Sequence, residues 1–362
     1  MEHIAIYPYS ESYAPIIRHQ KLIHDMKIRS LISPRGWGLT GECVKTLDTE
    51  FIVTDNFIEG IQECTAVWFV DDANIPHPPA LLKEKMHEAL RQNKRILFTR
   101  SIKSDKDDIK NLIPDEKEIR IETMHCLSER KSIACYNIDT PVIFVLGLSE
   151  NTDKFEVQAT LREQFIQKGY KVSSVSSRKD STILGMHELP EFMFDINVSE
   201  AEKIQLYNQF VKQVELKDTP DIIIIGIPGG AFPYNKKIHN YFGISLYEIS
   251  NAVTCDFAVF CLPYLNYSLD MTNFTKISNE VNGKFGFPID YFHIAARTYD
   301  HFFAQPLDQD FSWVSLDESF IDMKIETYKR KDVLNLIHRD EAKKITDEII
   351  RQLSGTSKTQ SI

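Results

Sequence analysis

The chain has 362 residues and a formal net charge of −10, from 42 Lys+Arg against 52 Asp+Glu. That acidic balance argues against non-specific binding to nucleic acid or to an anionic membrane, which needs a basic surface. A composition 43% hydrophobic and 11% aromatic excludes a disordered or low-complexity chain, and at roughly 150 residues per domain the length suggests two domains or one large one.

Short apolar runs alternate with longer, helix-patterned segments from the first residues on. Ile4–Pro8 reads as a strand and Tyr13–Met26 as an amphipathic helix, followed by strands at Ile28–Ile32 and Phe51–Val53. Thr65–Val70 is a β-branched and aromatic run, Ala80–Gln92 is helical in pattern, and Arg95–Thr99 is another strand candidate. This rhythm implies a parallel sheet covered by helices, because parallel strands need crossover connections. A charge-rich stretch, Ser104–Lys110, precedes a domain junction expected near 138.

The rhythm restarts after Asp139-Thr140-Pro141. Pro141–Leu146 reads as a buried strand, and Val157–Gly169 as a helix with apolar residues at 157, 161 and 165 that stops at a glycine. Strands follow at Tyr170–Val175, Ile222–Ile225 and Phe257–Leu262, with a helix at Ala201–Leu216. Beyond about Gln305 the pattern is irregular until a closing helix at Asp332–Leu353 and a polar tail, Gly355–Ile362. The expected organisation is a Rossmann-like α/β domain over 1–138, a second α/β domain over 139–330, and a C-terminal helix and tail over 331–362.

Six cysteines, at 43, 64, 126, 135, 255 and 261, form no CxxC pair and lack zinc-site spacing. Met1-Glu2-His3 leads straight into a strand-like run, so no signal peptide is expected, and no apolar run approaches the roughly 20 residues of a membrane span. The expectation is a reduced, cytoplasmic protein. His187, His239 and His293 lie far apart, with no HxH or HExxH spacing, and each is assigned a structural or surface role.

Gly36-Trp37-Gly38-Leu39-Thr40-Gly41 matches GxGxxG by letter but not by context. A dinucleotide site needs those glycines between the first strand and a helix whose amino end meets the pyrophosphate. Here they follow the second strand, and only a short broken stretch precedes the next one. The reading is a surface loop, with Arg35, Gly36, Trp37 and Gly38 as candidates for a recognition surface.

The second domain carries a stronger signal. Strand Pro141–Leu146 runs through Gly147-Leu-Ser-Glu-Asn-Thr-Asp-Lys154-Phe155 into a helix, the layout in which backbone N–H groups and a lysine hold phosphate. This spacing resembles the dethiobiotin synthetase and cobyrinic-acid amidase branch of P-loop proteins, which reads like G-T-D-T-G-V-G-K-T here. Asp221-Ile-Ile-Ile-Ile-Gly226-Ile-Pro-Gly229-Gly230 resembles that branch's D-x-x-x-V-E-G-A-G-G. The resemblance covers about 139–265 and implies a P-loop NTPase-like fold. It fails at the metal: the hydroxyl residue expected after the lysine is Phe155, and the expected glutamate is Gly226. Glu150 and Asp153 add negative charge where phosphate would sit. The domain therefore reads as a degenerate P-loop fold, with no cofactor expected. ATP or GTP with Mg is the alternative, in a ligase or kinase using Lys154, Arg178 and the Gly229-Gly230 turn.

Further anion-binding candidates are Arg178 and Lys179, after the strand beginning at Tyr170, and Lys236, beyond Gly229-Gly230. Solvated turn charge is the favoured account of Arg178 and Lys179, and a turn needing positive φ explains Gly229-Gly230 almost as well as an anion-binding nest. A pocket for a small molecule between the two domains is a third reading.

Four segments together resemble the peptide maturation system proteins of bacteriocin-like natural-product clusters. They are Tyr7-Pro8, Ser33-Pro34-Arg35-Gly36-Trp37-Gly38-Leu39-Thr40-Gly41, Ala66-Val67-Trp68-Phe69-Val70, and Pro228-Gly229-Gly230-Ala231-Phe232-Pro233-Tyr234. The resemblance spans about 1–305. It implies an accessory role in which the protein binds a Cys-rich precursor peptide or the modifying enzyme, a radical SAM enzyme being one component of such clusters. No nucleic acid or membrane partner is expected, and a homo-oligomer stays open.

Overall fold

In the computed structural model, residues 1–46, 49–70, 79–98, 113–121, 135–233, 240–265, 271–299 and 313–356 are described. The chain divides into two units, Met1–Met124 with Arg178–Met186, and His125–Ser177 with His187–Ile362.

The first unit opens with β1 (Glu2–Tyr7), which leads through a 3₁₀ turn into the short helix α1 (Ala14–Arg18), a second 3₁₀ turn (Gln20–Leu22) and β2 (Met26–Leu31). The single helix expected over Tyr13–Met26 is thus broken. Pro15 opens α1, His19 leaves helical geometry after one turn, and the left-handed Asp25 (φ 60) redirects the chain into β2. A hairpin of β3 (Cys43–Lys45) and β4 (Glu50–Ile52) follows, then α2 (Phe57–Gln62), whose first turn is capped by Asn56 accepting from the Glu59 N–H at 3.3 Å. Next come β5 (Ala66–Phe69), α3 (Pro79–Arg91), β6 (Arg95–Phe98) and β7 (Glu118–Ile119). The strand order is β2-β1-β5-β6-β7, every pair parallel. β5 is buried along its whole length because both faces of a parallel sheet are covered. Tyr7 packs edge-on against both Phe57 and Phe69, beside Ile61, Leu82 and Met86.

In the second unit, Asp139 and Thr140, just before its first strand, donate their N–H groups to Glu215 at 2.8 and 2.7 Å. Its elements are β8 (Val142–Gly147), α4 (Lys154–Gln167), β9 (Val172–Ser176), β10 (His187–Glu188), α5 (Glu200–Asp218), β11 (Ile222–Gly226), α6 (Ile244–Ala252), β12 (Phe257–Pro263) and α7 (Met271–Phe285). They continue with β13 (Tyr291–Ala295), β14 (Arg297–Tyr299), β15 (Trp313–Ser315), α8 (Glu318–Thr327), β16 (Val333–Leu334) and α9 (Arg339–Thr356). The sheet order is β10-β9-β11-β8-β12-β13-β16, all parallel. Both units are therefore Rossmann-like α/β sheets, and β8 with its following loop lies centrally in the second.

Two expectations shift at element ends. α4 begins at Lys154, not Val157, because the left-handed Asn151 and Asp153 (φ 55 and 59) let the Val157 N–H reach the Asp153 carbonyl at 2.9 Å. The closing helix begins at Arg339, not Asp332; Val333–Leu334 instead pairs with Phe292 and His293 as an edge strand. α9 then covers the outer side of α4. Ile345 and Ile349 join Val157, Leu161 and Phe165 in one core, and Arg339 bonds Glu163 at 3.1 Å. Residues 331–356 thus form part of the second unit, and α4 is buried all round from Glu156 to Phe165. Among the described residues, no helix is long and apolar enough to cross a membrane, and Cys43, Cys64, Cys135, Cys255 and Cys261 are free thiols.

Candidate functional site

Ligands of open parallel sheets bind beyond the carboxyl ends of the strands, and here the loop 148–153 leaves β8 at that edge. β8 lies between β11 and β12, with Gly226 opposite Val145 and Cys261 opposite Gly147. The two motifs read from the sequence therefore stand side by side. Backbone bonds stitch them together: Leu148 N–H donates to the Cys261 carbonyl and Ala231 N–H to the Gly147 carbonyl, each at 2.9 Å. Asn240 Nδ2 donates to the carbonyls of Leu148 at 2.7 Å and Phe232 at 2.8 Å. Gly230 sits beneath this bridge, where a Cβ would stand 2.5 Å from the Leu148 carbonyl oxygen, so only glycine allows the approach.

Lys154 opens α4. Its Nζ donates to the Gly229 carbonyl, which joins the loop to the Gly229-Gly230 turn. Burial of that ammonium pulls its pKa from 10.5 down to about 8, although the Glu150 charge works the other way.

The metal side of the expected site is filled. Gly226 ends β11, and an added Cβ there would stand 2.6 Å from Gln158 Oε1. Gln158 is held in place by its own Nε2, which donates to the carbonyls of Val175 at 2.7 Å and Ile224 at 3.2 Å. Phe155 occupies the hydroxyl position beside Lys154, and no group of three or more His, Cys, Asp or Glu poised for a metal occurs among the described residues. These residues do not fit a Mg-bound triphosphate.

A different polar cluster lies beside the lysine. Asp153 makes no side-chain cap to α4. Its carboxylate instead faces His293 Nε2 at 3.8 Å and Arg297 Nε at 3.5 Å. His293 is 0% exposed, on β13 in register with Cys261. Its Nδ1 accepts the Leu336 N–H at 3.1 Å. Three adjacent strands thus bring Gly147, Cys261 and His293 into one row.

The other candidates fall elsewhere. Arg178 and Lys179 belong to the first unit. There Arg178 is forked onto Asp180 at 3.0 and 2.5 Å, donates to the Ser12 carbonyl at 2.9 Å, and stacks 5.6 Å from the Tyr13 ring centre. These contacts give Arg178 a structural role within the first unit. Lys179 starts a 3₁₀ turn. Lys236 and His239 lie outside the described residues. Gly36 and Gly38 have positive φ with open space around them, Trp37 is half-buried, and Arg35 bonds Asp55 at 3.1 Å. That segment is a surface loop after the second strand, as its context implied. Arg297 was missed by sequence reasoning, His293 was assigned only a structural or surface role, and Asp153 was read only as a charge opposed to phosphate. Tyr291-Phe-His-Ile-Ala, an apolar run broken by one histidine, was the available signal.

No family model and no curated protein matches the sequence. Among solved structures, the chain is similar to a DUF1611 family protein from Anabaena variabilis ATCC 29413. The match has a TM-score of 0.63 and 10% identity over 97% of this chain and 100% of that one. The signal recognition particle receptor FtsY from Elizabethkingia anophelis aligns with 43% of this chain and 50% of its own, at 15% identity and a TM-score of 0.29. The first likeness establishes the fold alone, and the second supports no argument.

Proposed function

We propose that this chain is an accessory protein in the maturation of a ribosomally made peptide, binding the precursor or its modifying enzyme without hydrolysing a nucleoside triphosphate. The observation that carries the non-hydrolytic part is Gln158 standing over Gly226. Phosphoryl transfer depends almost wholly on positioning and on metal neutralisation of charge. A glutamine amide lies where the acidic metal ligand of the resembled branch would project, Phe155 replaces the hydroxyl, and Lys154 is engaged by Gly229. The peptide-maturation part is supported by the four resembling segments. Two of them, Tyr7-Pro8 and Ala66–Val70, are buried fold elements, whereas Ser33–Gly41 leaves Arg35, Gly36, Gly38 and Thr40 exposed for recognition.

Two measurements test this. Calorimetry of the full chain with Mg-ATP and Mg-GTP is expected to show no metal-dependent binding, and no phosphate release when precursor peptide is added. Micromolar, Mg-dependent binding with turnover would establish the ligase or kinase reading instead. Titration with the precursor peptide and with the modifying enzyme encoded beside it should give micromolar binding to one of them. Absence of both removes the accessory role.

A further inference from the structure

The turn Asn240–Gly243 and the helix α6 that follows it leave large apolar side chains half-exposed. Tyr241, Phe242 and Tyr247 are 57, 61 and 49% exposed, and Ile244 is 47% exposed. All four lie within Tyr241–Tyr247. α6 sends Leu246, Ile249 and Ala252 into the core, while Ile244 and Tyr247, neighbours on one face, point to solvent. The turn is both strained and pinned. Asn240, Tyr241, Phe242 and Gly243 all stand in the left-handed region (φ 45, 58, 55 and 75), which costs free energy for bulky residues. Asn240 Nδ2 fixes one end by donating to the carbonyls of Leu148 and Phe232. Gly243 fixes the other, passing so close to Ala231 that a Cβ would stand 2.5 Å from its carbonyl oxygen. The near edge of the Tyr241 ring lies 3.4 Å from where a Cβ on Gly229 would project. Backbone strain of this kind concentrates at binding sites, and here its effect is to hold two aromatic rings at the surface.

Charge and area select the occupant. No residue from 240 to 247 is charged, in a chain with 26% charged residues. The next residue, Glu248, is buried and faces Lys203 at 3.5 Å. Aromatic enrichment with charge depletion is the composition of an interface core, and a surface that offers no ion pair is matched by neutral, apolar side chains. At roughly 200 Å² for an aromatic side chain, the four residues present about 400 Å². That is about half of the roughly 800 Å² each partner contributes to a standard interface between folded proteins. It is too little for a stable dimer of a chain with a net charge of −10, and it suits a short peptide segment. We propose that Tyr241, Phe242, Ile244 and Tyr247 form the docking surface for an uncharged, apolar segment of the precursor peptide, with the aromatic rings as its anchors. The inference deepens the accessory reading above and rests on it for the identity of the peptide.

The test is fluorescence anisotropy of the full chain with two labelled, capped probes. One is an uncharged peptide with leucine and phenylalanine at alternate positions, and the other carries aspartate in their place. The uncharged probe is expected to bind, the aspartate probe to stay free, and unlabelled precursor peptide to displace the uncharged probe. Phe242→Asn replaces the ring by a residue that tolerates the left-handed backbone. Its Tm should hold or rise while affinity falls at least about tenfold, the loss of an aromatic hot spot. Tyr247→Gln, on the exposed face of α6, should weaken binding by a similar factor. Ile52→Thr, at a comparably exposed residue of β4 in the first unit (63%), should leave it unchanged. Failure of the uncharged probe to bind, equal binding of both probes, or unchanged affinity in Phe242→Asn and Tyr247→Gln overturns the surface. A dimer in light scattering that Phe242→Asn dissociates makes a second copy the occupant and overturns the peptide. Precursor that binds wild type and both variants alike overturns this surface and leaves the accessory reading standing. Probe binding lost in the variants, with no displacement by precursor, keeps the apolar surface and overturns the reading beneath it.

Discussion

Gln158 Oε1 lies 2.6 Å from the point where a Cβ on Gly226 would stand. One residue's absence of a side chain is therefore the condition for the other's position. Gln158 in turn ties α4 to β9 and β11 through two backbone carbonyls. Gly226→Ala is expected to destabilise the chain by about 1–3 kcal/mol through overpacking, read as a lower urea midpoint with unchanged slope. Combining it with Gln158→Ala should cost less than the two single changes added together, because the clash is gone. Strict additivity would show that the two side chains do not compete for this space.

Lys154 makes a prediction about alkaline pH. Its folded pKa, about 8, lies below the ordinary 10.5 because burial disfavours the ammonium. Between those values the unfolded chain binds more protons than the folded one, so this group makes stability rise with pH. Relative to Lys154→Met, the wild type should gain stability from about pH 8 to 10.5, with a slope of at most about 1.4 kcal/mol per pH unit. Below pH 8 the difference should be flat. Paired urea titrations across that range check it, and a difference that stays constant up to pH 10.5 would mean the ammonium is not buried as the structure has it.

The second sheet was legible in the sequence where its strands are continuous β-branched and aromatic runs. β8, β11 and β12 need nothing beyond local pattern, and their motifs end at the same edge because the strands are parallel and adjacent. The start of α4 was less legible, since a left-handed Asp153 extends the helix by a turn that apolar spacing cannot reveal. His293 was legible as a residue with a structural or surface role, but its partners were not. A histidine at 0% exposure is tolerable only because Leu336, 43 positions later, donates to it, and that partner follows an edge strand too short to register as a pattern. The burial of Glu163 on α4 likewise depends on α9, whose Arg339 bonds it from far away in sequence.

Arg178 was a candidate for anion binding, and its geometry predicts a structural role instead. A guanidinium forked onto Asp180 and lying against Tyr13 uses planarity that lysine lacks. Arg178→Lys should lower stability by about 1–2 kcal/mol while leaving phosphate titrations of the full chain unchanged. A melting experiment alongside the calorimetry separates the two. Loss of anion affinity with an unchanged Tm would restore Arg178 as a ligand group.

Asp218, at the end of α5, gives the acid limb. One of its oxygens accepts from Ser173 Oγ at 2.7 Å and bonds His187 Nε2 at 2.5 Å. Burial alone would raise its pKa, but these hydrogen bonds outweigh burial and hold the carboxyl below its ordinary 3.8. For a depressed carboxyl, the stabilisation is fully present above the unfolded value and disappears as pH falls through the folded one. Asp218→Asn is therefore expected to cost about 1–3 kcal/mol at neutral pH, with the gap to wild type narrowing only once the pH drops below about 3.8. Urea unfolding of both proteins from neutral pH down to about pH 3 follows the gap directly. A gap that closes well above pH 4 would place the Asp218 pKa at or above its ordinary value and remove Ser173 and His187 as the groups that hold it down.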